Sequence, residues 1–448
     1  MSVYDKVELI MIDIITNPIV ISVTILCILC LCRINVLLSL MISAVIAGLI
    51  SGLNISKVME IFVNGMGGNS ETALSYILLG AFAASMTHTG LAPILAKKIA
   101  MAIKSNKYLL IFILAGIAVL SQNLIPVHIA FIPILIPPLI PLMNSLKIDR
   151  RSIACALAFG LKAPYIVIPA GFGLIFQSLI AQNLVQNGVN VAKTEIWKYT
   201  WILGVGMFFA FIIAIVFSYK KARTYEAVEI KQSAKDENLQ LSLNKSHYIT
   251  LLAAVLTLTV QLLTKSLPLG ALVGLSVIFG FRAIDHDKTD KVINEGVGLM
   301  GYVAFVMLVA SGFAAVMQAT GGVENLVNSI IPYMTWGKIW ATLLMLVVGL
   351  FITMGIGTSF GTIPILAVLY VPVCLKLGFS TPATVIVIAA AAALGDAGSP
   401  ASDTTLGPTA GLNVDNQHNH IWDTCVPTFI HYNTALIIAA LVGVMIFS

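Results

Sequence analysis

Apolar runs alternate with short polar stretches over nearly the whole chain. They predict helices near 17–32, 34–53, 72–96, 108–125, 126–146, 152–180, 196–219, 247–264, 267–281, 297–319, 338–354, 359–377, 383–394 and 426–447. Several fall short of the roughly 20 residues that a straight membrane span needs. Two hydrophilic stretches, 220–246 and 282–295, punctuate them. The run 385–394 has no polar side chain, and directly after it comes GDAGSPASDTTLGP at 395–408. Glycine and proline there interrupt a helix, and at membrane depth freed backbone groups are tolerated only inside protein or against a watery cavity.

Composition agrees with this pattern. The 448 residues are 58% hydrophobic and 10% charged, where soluble domains carry about 25% charged residues. The class is an all-α polytopic membrane protein, a helical bundle in the lipid bilayer. A net charge of +5 without a basic patch interleaved with aromatics excludes a nucleic-acid partner. Six cysteines make no disulfide framework, and Cys27, Cys30 and Cys32 read as packed or lipid-facing thiols. Asp5, Glu8 and Asp13 dilute the charge of the N-terminus, which reads as leading into a first membrane helix, not as a cleaved signal.

Basic residues cluster at Lys97–Lys107, Lys147–Arg151, Lys220–Lys245 and Arg282–Lys291. The positive-inside rule puts all four clusters in the cytoplasm, and fourteen crossings would leave both termini outside. A bacterial cytoplasmic (inner) membrane is the expected location.

The chain also repeats. A shift of 231 residues lays 64–172 on 295–403 and pairs Gly90 with Gly321, Pro133 with Pro364, Pro141 with Pro372 and Pro169 with Pro400. Chance predicts about 0.4 proline coincidences between these windows, and three occur. Because 72–96 runs toward one basic cluster and 297–319 runs away from another, the copies should be inverted, with broken or re-entrant helices at a central site. The organisation is then N-terminal scaffold helices over 1–63 and a first transport repeat over 64–172. Scaffold helices over 173–294 carry the linker 220–246, a second repeat covers 295–403, and a site loop with the last helix covers 404–448. The scaffold helices are free to form a homodimer contact.

Two breaks face each other in this alignment. One holds Asp396, Ser399, Ser402, Asp403 and Thr404; the other holds Lys162 and Tyr165, with Tyr165 opposite Asp396. A buried ammonium needs a counter-ion, so Lys162 is expected on Asp396 or Asp403; the plain alternative is snorkelling to an interface. An earlier pair of breaks brings Asn123 and His128 against Thr358 and Ser359, oxygens suited to Na⁺ unless their hydroxyls only bond back to the preceding turn. Asp396 and Asp403 are the expected carboxylate ligands of Na⁺, on the view that the breaks carry too little fixed positive charge to neutralise both. His88 reads as a helix cap or proton relay, and Gln318 and Glu324 as gate or surface residues. His418, His420 and Asp423 form a weak zinc pattern beside Trp422, an interfacial anchor. His431 and Asn433 are secondary candidates.

On GDAGSPASDTTLGPTAGLN followed by HIWDTCVPTFIHYN, and more weakly on both repeats, the chain resembles the NhaC-type Na⁺/H⁺ antiporter family of the ion transporter superfamily. It is most similar to a branch associated with uptake of amino acids, histidine-type substrates among them. The resemblance implies Na⁺- or H⁺-coupled secondary transport, with a monovalent cation and a small solute as partners and no other cofactor. Lys162 speaks against pure cation exchange, since a cation beside the site could hold an organic carboxylate. Na⁺/H⁺ exchange is the alternative. An intramembrane hydrolase using Ser399 or Ser402 with His431 is remote, as neither serine sits in a GxSxG-type elbow and no HExxH motif is present, and a channel fits inverted repeats poorly.

Overall fold

The computed structural model describes residues 16–32, 34–91, 94, 106–123, 132, 135–226, 244–264, 266–322, 325, 337–356, 358–400 and 402–448. Among them, the helices are α1 (Pro18–Leu31), α2 (Val36–Ile50), α3 (Ile55–Met66), α4 (Ser70–Thr89), α5 (Lys107–Asn123), α6 (Arg150–Val167), α7 (Phe172–Gln186) and α8 (Trp197–Ser218). There follow α9 (Lys245–Thr264), α10 (Leu267–Gly280), α11 (Thr289–Ala319), α12 (Lys338–Ile356), α13 (Ser359–Lys376), α14 (Thr381–Ala393), α15 (Asp403–Leu412) and α16 (His420–Phe447).

Six of these are long and apolar enough to cross a membrane, or seven with α6 and α7 counted as one span bent by 45°. Fourteen straight crossings are therefore not what the described residues form; four further apolar helices have only 10–17 residues. The segment expected at 126–146 shows why. Its described part holds a tight turn, Pro137–Leu139, and a short helix, Ile140–Ser145, because Pro137, Pro138 and Pro141 supply no N–H for a continuous ladder.

The burial pattern sorts the helices. Alanine-rich α14 and the turn after it, Thr381–Gly398, are 89% buried, and α14 is hydrophobic all round, so it forms the centre of the bundle. Helix α13 lies beside it at 78%, whereas α9 is only 33% buried and turns Val255 and Leu263 outward. Such faces suit lipid.

Helices α4 and α11 meet backbone to backbone. A Cβ on Gly296 would fall 2.2 Å from the Ala81 Cα, so small residues set the separation. Ile77 lies against Gly301, Gly80 against Gly296 and His88 against Glu295. Positions rise along α4 as they fall along α11, so the two run antiparallel.

The 231-residue shift lays α4 on 301–320, the second part of α11 and its C-terminal cap Thr320, and these equivalent helices therefore point in opposite directions, the relation of inverted repeats. The same shift carries the first residue of α5, Lys107, onto that of α12, Lys338, and the first of α6, Arg150, onto that of α14, Thr381. It also matches left-handed backbone positions, Gly90 (φ 74°) with Gly321 (φ 66°) and Lys147 (φ 51°) with Gly378 (φ 69°).

Two helices have no counterpart among the predicted segments. Helix α3 is amphipathic, capped by the Asn54 side chain, and buries Val58 and Phe62. Helix α15 begins inside the polar stretch that the sequence marks as a break.

Candidate functional site

Both breaks are built from local chemistry. In α6, Pro164 lacks an N–H, and the helix stops at Val167. The carbonyls freed there are taken up by Thr200 Oγ1, which donates to Ile166 O (2.7 Å), and Gln177 Nε2, which donates to Val167 O (3.1 Å). Gly171 then turns the chain at φ +55°, where a Cβ would stand 2.3 Å from the Asn123 carbonyl oxygen.

In the second copy, α14 ends at Ala393, and Gly395 turns at φ +76° with space for no Cβ against Leu350 O (2.7 Å) and Met354 N (2.8 Å). A tight turn over Asp396–Gly398 follows, and the Ser402 side chain caps α15 by accepting from Thr404 N at 3.2 Å. Asn123 and Met354, the residues against which the two glycines are pressed, are themselves related by the 231-residue shift.

Between the breaks lies one compact polar cluster. Lys162 Nζ donates to Asp396 Oδ2 and to Ser359 Oγ (2.8 Å). Ser359 Oγ donates to the same carboxylate oxygen at 2.6 Å and contacts Tyr165 OH at 2.8 Å. Tyr165 OH also reaches Asp396 Oδ2 at 3.5 Å, and the Ser359 backbone N–H does so at 3.3 Å. Ser402 Oγ donates to the other oxygen, Oδ1, and Thr404 Oγ1 donates to the Asp396 carbonyl at 3.1 Å. Ser399 contributes its carbonyl, which accepts from Thr405 Oγ1.

Lys162 is 1% exposed, so it does not snorkel, and Asp396 is 6% exposed. Two charges removed from water at this depth are tolerable only as a hydrogen-bonded pair, and that is the arrangement found. The expectation of too little fixed positive charge at the break therefore fails at Asp396, which Lys162 neutralises directly. An aromatic cluster covers one side: Phe360, next to Ser359 in the chain, sits 5.3 Å from the Tyr165 ring and 5.8 Å from Tyr76, with Phe172 and Phe176 also packed on it.

The other expected residues are placed less uniformly. Thr358 precedes α13 and makes no side-chain capping bond; its carbonyl accepts from Thr362 at 2.7 Å. Asn123 is 2% exposed with both amide atoms unpartnered. His128, Glu324 and the Asp403 side chain lie outside the described residues. His431 is turned away from the breaks: its Nε2 meets Ser218 Oγ at 2.9 Å, far in role from a base for Ser399 or Ser402. His88 pairs with Glu295 at 2.6 Å, and Gln318 donates to Asn187 at 3.0 Å.

His418, His420 and Asp423 do not converge on a metal, and no metal-binding group of three is found among the described residues. They belong to a second polar cluster that tethers the end of α15. There Arg150, fully buried, donates to Leu412 O and to Asp415, and stacks on Tyr225 at 4.1 Å. Arg223 donates to Asp423 at 2.8 Å, and His418 meets Thr424 at 2.7 Å. Burial pushes His418 down to about 4 against the pull of Asp423, so its ring is neutral. Burial pushes the Asp415 carboxyl up, but the Arg150 hydrogen bond and charge outweigh it and hold Asp415 below its usual range.

In the sequence Arg150 is one more charge of a cytoplasmic cluster; the chain reversal after α15 makes it a buried anchor. Asn433, a secondary candidate from the sequence, is a buried amide with both atoms unpartnered, on a π-helical turn that packs against Asp396–Gly398. Such turns are frequent at functional sites.

Comparison with known proteins agrees with this architecture. The chain is 46% identical over 442 residues to an uncharacterized membrane protein of Vibrio parahaemolyticus, covering 96% of this chain and 100% of that one. It is 44% identical over 445 residues to a Bacillus subtilis protein named "Putative amino acid transporter YuiF", covering 96% and 100%. Among solved structures, MtrF of Neisseria gonorrhoeae, presented as illuminating a class of antimetabolite efflux pumps, aligns with a TM-score of 0.58 at 17% identity, over 88% of this chain and 84% of that one. The YdaH transporter of Alcanivorax borkumensis aligns at 0.57 and 14% identity, over 88% of each. Residues 17–103 match a Na⁺-H⁺ antiporter family, and residues 156–444, more than half the chain, match the Na⁺/H⁺ antiporter family. The chain is a multi-pass membrane transporter that belongs to the Na⁺/H⁺ antiporter family.

Proposed function

We propose that the protein takes up a small amino acid, histidine among the candidates, across the bacterial cytoplasmic membrane by alternating access, driven by Na⁺ or H⁺. The observation that carries this reading is the buried Lys162–Asp396 pair held between the two inverted breaks. An amino acid is a zwitterion, and it can exchange partners with such a pair without adding net charge to the membrane interior. Its carboxylate takes Lys162 and the backbone N–H groups at the start of α15; its ammonium takes Asp396.

In this reading Ser359, Tyr165, Ser402 and Thr404 hold the solute-free pair closed. Ser399 lines the same turn. Asn123, Thr358, Asp403 and His128 remain for the coupling ion, as oxygen ligands for Na⁺ or, at His128, as a proton carrier. Asp396 joins them only once Lys162 has left it. The chemistry is transport without bond cleavage, and the placement of His431 on Ser218 supports this by leaving Ser399 and Ser402 without that base. The name carried by the Bacillus subtilis relative points in the same direction.

Na⁺/H⁺ exchange is the second reading, favoured by one specific feature: a cation could displace the Lys162 ammonium from Asp396 with no organic solute involved. Purified protein in liposomes separates the two. Under imposed Na⁺ and pH gradients, uptake predicts saturable accumulation of a labelled amino acid that dissipating the gradient abolishes. Na⁺-driven proton movement with no amino acid transported by the parent protein would establish exchange instead.

A further inference from the structure

We propose a proton-binding site at His420, beside the second break, built from acceptors that meet both nitrogens of its ring. It rests on the transport reading for its role, giving the H⁺ of that reading a place to bind, though not for its existence. His420 is the first residue of α16, which begins as a π-helical turn. The Asn419 side chain caps that turn by accepting from the N–H groups of Ile421 and Trp422. The half-buried ring lies against Pro400, four residues after Asp396 in the chain. Leu412, at the end of α15, is held by Arg150 of a cytoplasmic basic cluster, which puts the junction of α15 and α16 on that side.

Hydrogen counting assigns the roles. His420 Nε2 meets Pro400 O at 2.9 Å, and a carbonyl only accepts, so Nε2 carries a hydrogen. His420 Nδ1 meets Thr409 Oγ1 at 2.8 Å. Thr409 has one hydroxyl hydrogen and donates it to Thr424 Oγ1 at 3.0 Å, so toward Nδ1 it offers a lone pair. Thr424 is fully buried, and its oxygen meets His418 Nε2 at 2.7 Å. Burial keeps His418 neutral, so its Nε2 is free to accept the Thr424 hydrogen. Each hydroxyl is thus committed to the next group, and both ring nitrogens of His420 face acceptors. The form of imidazole that satisfies two acceptors is the protonated one, with an N–H at each nitrogen.

The charged groups on the elements packed around this turn already have partners. Arg150 pairs with Asp415, Arg151 with Asp149 and Arg223 with Asp423. Cys425 is a further titratable side chain in contact, its Sγ 3.6 Å from His420 Nε2.

The proton couples to the break through Pro400. Bonds from a charged donor are roughly twice as strong as neutral ones, so the protonated ring ties Pro400 firmly to α15 and α16. On release the N–H bond at Nδ1 breaks, its proton passes to water and the electron pair stays on the ring. Two lone pairs then face each other until Thr409 turns its hydrogen away from Thr424. The segment loosened in this way carries Ser399 and leads back to Asp396. Proton binding at His420 therefore biases the element that must move to open the central pair.

Two measurements test the site. In detergent, the imidazole of His420 is followed through a pH titration by NMR of protein labelled with ¹⁵N-histidine, with His420→Gln identifying its signals. Thr409→Val removes the acceptor at Nδ1. Thr424→Val, at a hydroxyl that bonds to Thr409 and His418, frees the Thr409 hydrogen to point at Nδ1. Each is expected to weaken proton binding at His420 about tenfold. In liposomes, the pH profile of labelled-histidine uptake is expected to move by the same factor in Thr424→Val relative to the parent. If the parent transports no amino acid, the uptake reading fails; the profile is then read on Na⁺ flux, and the tenfold change by NMR still establishes the site. Proton binding unchanged in both threonine variants overturns the site. Weakened binding with an unmoved transport profile overturns its role in coupling.

Discussion

Lys162 of the first repeat and Asp396 of the second form a buried ion pair, with Ser359 bonded to both partners. Neither charge is tolerable alone at this depth. Removing one partner of such a pair costs about 3–5 kcal/mol, because the other is left uncompensated. Lys162→Met and Asp396→Asn should each lower the melting temperature in detergent, and the double variant should recover most of the loss while transporting nothing. A double variant as unstable as either single one would show that the two groups are not coupled.

The break glycines separate strain from function. Gly171 and Gly188 both have positive φ, but only at Gly171 does a Cβ strike backbone, 2.3 Å from Asn123 O. Gly188→Ala is expected to cost about 1–2 kcal/mol, the ordinary left-handed penalty. Gly171→Ala should cost clearly more and disturb the break itself. Equal losses in denaturant melts would contradict the close approach.

Asn123 and Asn433 hold amides whose unmet hydrogen bonds cost about 1–3 kcal/mol each while they stay dry. Replacing either with leucine should therefore leave thermal stability unchanged or raised in the absence of solute and Na⁺. The stabilisation that these ligands confer on the parent should disappear in the variant that has lost a ligand contact. A large drop in stability without ligands would instead mark a structural role.

The tether at the end of α15 carries its own pH signature. His418 is held near 4 by burial against an ordinary value of 6.5, so the unfolded chain takes up the proton first. Stability from this group is complete above pH 6.5 and is lost as pH falls from there toward 4. Melts of the parent and of His418→Gln should diverge only in that window, with the variant flatter. Arg150→Met, which strands buried Asp415, should cost about 3–5 kcal/mol at neutral pH.

Much of this was legible in the residues, for identifiable reasons. Glycine and proline punctuation located both breaks, and a fixed shift placed Lys162 and Tyr165 near Asp396 because the repeats kept their register without gaps. Helices α3 and α15 escaped because they are short and amphipathic or polar, and hydropathy finds only long apolar runs. The burial of Arg150 depends on a chain reversal after Leu412 that no periodicity announces. His431 sits in a segment whose π-helical turns rotate it toward Ser218, a register change with no composition signal.

The central claim is that a zwitterion replaces the partners of Lys162 and Asp396, and competition against labelled histidine uptake tests it most directly. Histidine, histidinamide and imidazolepropionate are compared in the parent, Lys162→Gln and Asp396→Asn. The account predicts a crossed pattern: Lys162→Gln weakens inhibition by the two carboxylates and spares the amide, whereas Asp396→Asn weakens inhibition by the two amines and spares imidazolepropionate. Equal weakening of all three compounds in both variants, or none in either, would contradict it.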